Sequence, residues 1–179
     1  GPTAAEIAAA EQAERERQEA YNKAIDSNQI ESWPQGPQIY AESAIVMEAD
    51  TGAILYNKDM DMRNYPASIT KIMTALITLE HCSLDEVVTY SYYATHSIEA
   101  GSSSIGRTDN EQLTVEESLY GLLLESANEC GNALAEHVAG SVEAFADLMN
   151  QKAEELGCTN THFVNPHGLH NENHYTTVY

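Results

Sequence analysis

Pro66-Ala67-Ser68-Ile69-Thr70-Lys71-Ile72-Met73-Thr74-Ala75-Leu76-Ile77-Thr78-Leu79 is the stretch on which the reading of this chain turns. Pro66 suits the position just before a helix or in its first turn. A helix opening at Ser68 puts Ser68 and Lys71 three residues apart, on one face. From Ile69 to Leu79 the only charge is Lys71. A helix apolar nearly all round is a buried one, so this lysine is predicted to be desolvated. Burial disfavours the ammonium and lowers the lysine pKa. A lysine that can be neutral, beside a hydroxyl near a helix N-terminus, is a known way to activate a serine nucleophile. The competing reading is a lysine snorkelling from the end of a core helix. S-x-x-K by itself is a weak pattern.

Working outward, Ser126-Ala127-Asn128 follows Leu122-Leu123-Leu124 at the junction of two helical patterns. Polar groups placed directly after an apolar run are often held in a cleft, although Ser and Asn are also ordinary helix-start residues. Helices are predicted over Ser68–Leu79, Thr114–Leu124, Ala127–Ala139 and Val142–Leu156. Thr114 with Glu117 reads as a capping box, and Gly140 and Gly157 sit where C-terminal caps belong. Upstream, Ser43–Met47 and Ala53–Tyr56 are short apolar runs around Asp50-Thr51-Gly52, the pattern of a β-hairpin. A hairpin alone is marginal in water, so further strands are expected from outside these residues. Trp33-Pro34-Gln35-Gly36-Pro37 reads as a linker. It separates a leader, residues 1–31, from one domain, residues 32–179. The leader is rich in Ala, Glu, Gln and Arg, which favours helix but offers little apolar face to bury.

The 179 residues carry 8 Lys and Arg against 28 Asp and Glu, a net charge of −20. Residues 1–31 hold 3 cations and 7 acids, so most of the acidity belongs to the domain. That balance argues against nucleic acid or an anionic membrane surface as a partner, since both need clustered cations. No apolar run is long enough to span a bilayer. Gly1-Pro2 resembles the scar of a tag cleavage, so the lack of an export leader decides nothing. Cys82, Cys130 and Cys158 form no C-x-x-C pair and read as small buried hydrophobes. His162, His167, His170 and His174 crowd the tail. The His170/His174 spacing would suit a metal only on a helix, and Pro166 and Gly168 argue for a loop. No metal and no cofactor is predicted; loop-fixing hydrogen bonds are the expected role of these histidines.

Ser68-x-x-Lys71 and Ser126-x-Asn128, in this order and 58 residues apart, resemble the penicillin-binding, serine-active fold, which combines S-x-x-K, S-x-N and K-T-G. The detail is most similar to the low-molecular-mass penicillin-binding proteins, the D-alanyl-D-alanine carboxypeptidases. The likeness includes Asp50-Thr51-Gly52, the Pro66–Lys71 segment, and Leu119-Tyr120-Gly121-Leu122-Leu123-Leu124 before Ser126. It ends with Phe163-Val164-Asn165-Pro166-His167-Gly168-Leu169, its most specific part, and covers about residues 39–179. Family members often read Ser-Gly-Asn-Asp where this chain has Ser126-Ala127-Asn128-Glu129. Lys23, Lys58, Lys71 and Lys152 are the four lysines, and none begins a K-T-G.

The resemblance implies an α/β (α+β) fold of the β-lactamase/penicillin-binding type: a five-stranded antiparallel sheet flanked by helices, with a helical subdomain and its C-terminal strands outside this chain. It implies Ser68 as nucleophile, Lys71 as general base, Ser126 as proton relay and Asn128 as a ligand of the substrate amide. The backbone N–H of Ser68 would form half of an oxyanion hole. The implied substrate is a peptidoglycan stem peptide ending in D-Ala-D-Ala, with β-lactams as acylating inhibitors and an extracytoplasmic location. A second polypeptide carrying the missing strands and K-T-G is expected as partner. Two alternatives stand beside this: a non-catalytic binder or sensor lacking K-T-G, and a class A-type β-lactamase. The latter needs an E-x-x-L-N-like loop that neither Glu154 nor Glu155 begins.

Overall fold

A computed structural model describes residues 1–26 and 30–179. Residues 27–29, at the end of the expected leader, lie outside the described residues. The chain divides into two compact units, Gly1–Met62 with Thr177–Tyr179, and Arg63–Thr176.

In the first unit, α1 (Ala4–Asn22) opens on a capping box in which the Thr3 hydroxyl accepts from the Glu6 N–H and the Glu6 carboxylate accepts from the Thr3 N–H. Its sequence supplies helix formers but almost no branched apolar residue, and Ala20 alone on it is buried. β1 (Ala44–Met47) and β2 (Ile54–Lys58) form the expected antiparallel hairpin, with Ala44 opposite Lys58 and Met47 opposite Ile54. The turn closes through the Glu48 N–H donating to the Ala53 carbonyl, with Gly52 at φ +72°. β2 runs two residues past the predicted Tyr56. Lys58, fully buried, ends it by donating from Nζ to the Ile39 carbonyl at 2.6 Å. A buried ammonium needs such a partner, and no sequence period signals one.

The second unit holds α2 (Thr70–His81), β3 (Val87–Thr89), α3 (Tyr92–His96), β4 (Gln112–Thr114), α4 (Val115–Leu124), α5 (Asn128–Ala139) and α6 (Val142–Glu155). Each predicted helix is present, with ends shifted by a residue or two. Ser68 lies in a 3-10 turn, Ala67–Ile69, that leads into α2. The Thr114/Glu117 capping box forms, and Gly140 ends α5 in the left-handed conformation. β3 and β4 pair antiparallel and have no counterpart in the sequence reading. Each is three residues long and they lie far apart in the chain, so neither shows a readable alternation. Among the described residues the strands make two two-stranded sheets, not the five-stranded one of the family fold.

Two cores hold this unit together. One gathers Val88, Tyr90, Val115, Leu122, Cys130 and Leu134 where α4, α5 and β3 meet. The other gathers Ile77, Phe145, Met149, Ala153 and Phe163 around α6. The prediction that α2 is buried nearly all round is corrected. Ile69, Ile72 and Leu79 are 69%, 66% and 54% exposed, while Thr70, Lys71, Thr74, Ala75, Ile77 and Thr78 are buried. Among the described residues no helix is long and apolar enough to cross a membrane.

Candidate active site

The 3-10 turn before α2 presents Ser68 at the surface, and α2 carries Lys71 one turn further into the protein. Lys71 Nζ donates to Ser68 Oγ at 3.1 Å, to Asn128 Oδ1 at 2.8 Å and to the His167 carbonyl at 2.7 Å. These three acceptors use all three ammonium protons. Lys71 is 2% exposed, and burial pushes its pKa down to about 8, against the pull of the Glu129 carboxylate.

Ser126 lies between α4 and α5, and its hydroxyl donates to Ser68 Oγ at 2.9 Å. The helix-cap reading fails for it: the residue flanking α5 is Ala127, which makes no side-chain cap bond. Ala67 and Ser126 both have positive φ, +49° and +55°. Backbone of this kind in non-glycine residues costs about 1–3 kcal/mol and persists only where its surroundings impose it. Here both strained residues adjoin or carry a hydroxyl of the same cluster.

Asn128 begins α5 and is 3% exposed. Its Nδ2 donates to Ser102 Oγ at 3.1 Å and its backbone N–H to the Ser103 carbonyl at 2.9 Å. That orientation turns Oδ1 toward Lys71. Ser68, Lys71, Ser126 and Asn128, distant in the chain, are thus one connected cluster. A cleft of about 280 Å³ opens over Ser68, Lys71 and Ser126, with Ile69, Ile72, Leu122 and Leu123 as its apolar walls.

The Asn165–Leu169 loop backs the cluster. Asn165 Oδ1 accepts from the N–H groups of His167 and Gly168, and Nδ2 donates to the Leu169 carbonyl. The loop then offers its Pro166 carbonyl to Thr74 Oγ1, at 2.6 Å, and its His167 carbonyl to Lys71. Gly168 has φ +92°, and a Cβ there would lie 1.8 Å from the Ala67 carbonyl oxygen. Only glycine lets this loop press against the residue preceding Ser68.

The tail histidines fix the loop, as the sequence suggested. His174 is 2% exposed. Its Nδ1 accepts from the Val164 N–H at 3.1 Å, which leaves the ring proton on Nε2 to donate to Thr70 Oγ1 at 2.7 Å. His167 Nδ1 accepts from the Leu169 N–H. Burial pushes both imidazoles down to about 4. The Lys71 charge adds to this at His167. His170 rests edge-on against Tyr65, apart from that pair.

Sequence reasoning missed Glu129. It is 1% exposed, and its Oε1 accepts from Ser104 Oγ and the Ile105 N–H, both at 2.7 Å. It ties down the segment whose Ser102 and Ser103 hold Asn128. The one available signal is an acid directly after Asn128, where family members often have Asp; the structure shows that start of α5 buried throughout from Asn128 to Ala135.

The profile of peptidase family S11, described as D-alanyl-D-alanine carboxypeptidase, matches residues 29–179. The chain belongs to the D-alanyl-D-alanine carboxypeptidase family. It is 43% identical over 141 residues to the D-alanyl-D-alanine carboxypeptidase DacF of Bacillus subtilis, covering 78% of this chain and 36% of that protein. The crystal structure of the carboxypeptidase DacD from Francisella tularensis superposes with a TM-score of 0.74 at 35% identity, over 86% of this chain and 38% of that one. Penicillin binding protein 6B from Escherichia coli does so at 0.77 and 31%, over 85% and 50%. The fold is therefore the penicillin-binding one. This chain spans well under half the length of the Bacillus and Francisella relatives. A separate second polypeptide gains no support from them, since each is itself a single longer chain.

Proposed function

We propose that this carboxypeptidase-family chain carries the acylation centre of a serine-type D-alanyl-D-alanine carboxypeptidase. The observation that carries this is the convergence of Lys71 Nζ and Ser126 Oγ on Ser68 Oγ, at 3.1 and 2.9 Å, at the mouth of a cleft. Neutral Lys71 accepts the Ser68 proton as Oγ bonds to the carbonyl carbon of the penultimate D-alanine. The developing oxyanion is met by the Ser68 N–H. Collapse breaks the peptide bond, and the departing D-alanine nitrogen takes a proton through Ser126. Water, deprotonated by the same pair, then attacks the ester and frees Ser68. Asn128, already fixed by Ser102, holds the substrate's peptide amide.

A β-lactam acylates Ser68 by the same attack, with opening of its ring. The second oxyanion-hole donor and the cation for the substrate carboxylate, which the family takes from K-T-G, come from outside these 179 residues. The family domain starts at about residue 32, behind the 1–31 leader, and acts outside the cytoplasm, where peptidoglycan is.

Incubating the full-length gene product with benzylpenicillin and mapping the adduct by peptide mass spectrometry tests this. A covalent adduct on Ser68 that vanishes in Ser68→Ala is the expected result. An adduct on another residue, or none, overturns it, and release within seconds points instead to a β-lactamase.

A further inference from the structure

The group formed by Cys82, Glu86 and His137 takes no part in the acylation centre. Cys82 ends α2, and its backbone N–H donates to the Thr78 carbonyl. The chain then turns sharply, with the Glu86 N–H donating to the Ser83 carbonyl at 3.2 Å. The same turn directs the Ser83 N–H onto Glu86 Oε1 at 2.7 Å. That bond orients the carboxylate, so Oε2 is presented to His137 Nε2 at 2.9 Å. His137 comes from the last turn of α5. One donor atom from each of the three residues lies within 4.8 Å of the others.

We propose that Cys82, Glu86 and His137 bind one divalent cation of the zinc class, with solvent in the fourth position. Thiolate, imidazole and carboxylate are the donors that zinc takes, at about 2.0–2.3 Å each. Tetrahedral placement at those lengths sets donors roughly 3.3–3.8 Å apart, so the three groups need move only slightly around an ion. A sulfur and an imidazole nitrogen disfavour Ca²⁺ and Mg²⁺, which take oxygen ligands. The Ser83 N–H on Glu86 is the outer-shell hydrogen bond that such sites use to hold a ligating carboxylate. The Glu86 and His137 side chains are 43% and 24% exposed, which leaves an approach for the ion and its water. Binding replaces the Cys82 S–H bond and the Glu86–His137 hydrogen bond with three metal bonds. The thiol proton leaves to solvent, and the His137 ring proton, which sits on Nε2 while that atom faces the carboxylate, moves to Nδ1 by exchange with solvent.

The placement gives the ion a structural consequence. Lys71 and Asn128 sit in the first turns of α2 and α5, whereas Cys82 and His137 sit at the far ends of the same two helices. The cation would clip the helix pair at the end opposite the cluster, and so stabilise it without touching Ser68.

Cobalt serves as the probe. Metal-free protein titrated with Co²⁺ is expected to develop a thiolate-to-cobalt charge-transfer band, saturating at one ion per chain. The band persists in Cys158→Ser, is absent in Cys82→Ser, and needs at least ten-fold more Co²⁺ in His137→Ala. Zn²⁺ abolishes the band by displacement and raises the melting temperature of the wild type but not of Cys82→Ser. Mg²⁺ does neither. Absence of the band in the wild type overturns the proposal, as does a band that survives Cys82→Ser or disappears in Cys158→Ser.

Discussion

The two faces of α2 depart in large part from the usual pattern of polarity and burial. One face is buried and mostly polar: beside Ala75 and Ile77, Thr70, Lys71, Thr74 and Thr78 are each under 3% exposed. The other is apolar and open, with Ile69, Ile72, Leu76 and Leu79 between 38% and 69% exposed. The buried face survives because every polar group on it has a partner. Thr70 meets His174, Lys71 meets three acceptors, Thr74 meets the Pro166 carbonyl and Thr78 the Thr74 carbonyl. Burial without partners would cost several kcal/mol per group. Ala75 and Ile77, each buried in one of the two cores, draw this side of the helix inward, and Lys71 and Thr74 are tolerated beside them because the Asn165–Leu169 loop offers carbonyls at the right spacing.

The sharpest way to break that contrast is Lys71→Arg. Guanidinium stays protonated in proteins, so it cannot serve as base. Acylation by a fluorescent penicillin, followed by stopped flow, should fall by roughly 10³-fold or more. Retention of near-full rate would remove Lys71 from its assigned role. In the wild type the same rate should climb as pH rises through about 8, where Lys71 loses its proton. A flat profile across that range would contradict a neutral base.

Next in size is Gly168→Ala. The added Cβ meets the Ala67 carbonyl in a backbone conformation that alanine avoids, so unfolding free energy should drop by about 3 kcal/mol, read from urea midpoints. A drop under 1 kcal/mol would mean the loop can lift away from Ser68.

His174 sharpens the comparison through acid. Its folded pKa of about 4 lies below the ordinary 6.5, as does that of His167, so the unfolded chain binds more protons between those values. Stability should therefore be full above pH 6.5 and be lost progressively as pH falls toward 4. His174→Asn should flatten that slope in pH-dependent urea melts, and an unchanged slope would place the acid sensitivity elsewhere.

The smallest expected effects separate the two faces. Thr74→Val leaves the Pro166 carbonyl without its donor and should cost about 1–2 kcal/mol. Leu79→Ser on the open face should change stability by no more than about 0.5 kcal/mol. Equal costs at the two positions would show that the distinction between the faces carries no energy.

Much of this was legible in advance, for local reasons. The Thr114/Glu117 capping box is a matter of residues three apart, and it forms as read. The β1–β2 hairpin follows from two apolar runs around a Thr-Gly turn. β3, β4 and α3 were not legible because each is three to five residues long and is stabilised by partners distant in sequence. Glu129 escaped notice for the opposite reason: a glutamate in a helix reads as a solvated charge, and only packing shows it buried against Ser104 and Ile105.

What the amino-acid order determined by itself is what lies within a turn or two of chain. It set the helix spans and their caps, and it put Ser68 and Lys71 on one side of the turn that opens α2. The family motifs also stood in plain order along the chain. Which face of α2 is buried, and therefore how far the Lys71 pKa falls, was decided only by tertiary structure. Desolvation and hydrogen bonding at Lys71 depend on Asn128 and His167, 57 and 96 residues away, and helical periodicity carries no information over such distances.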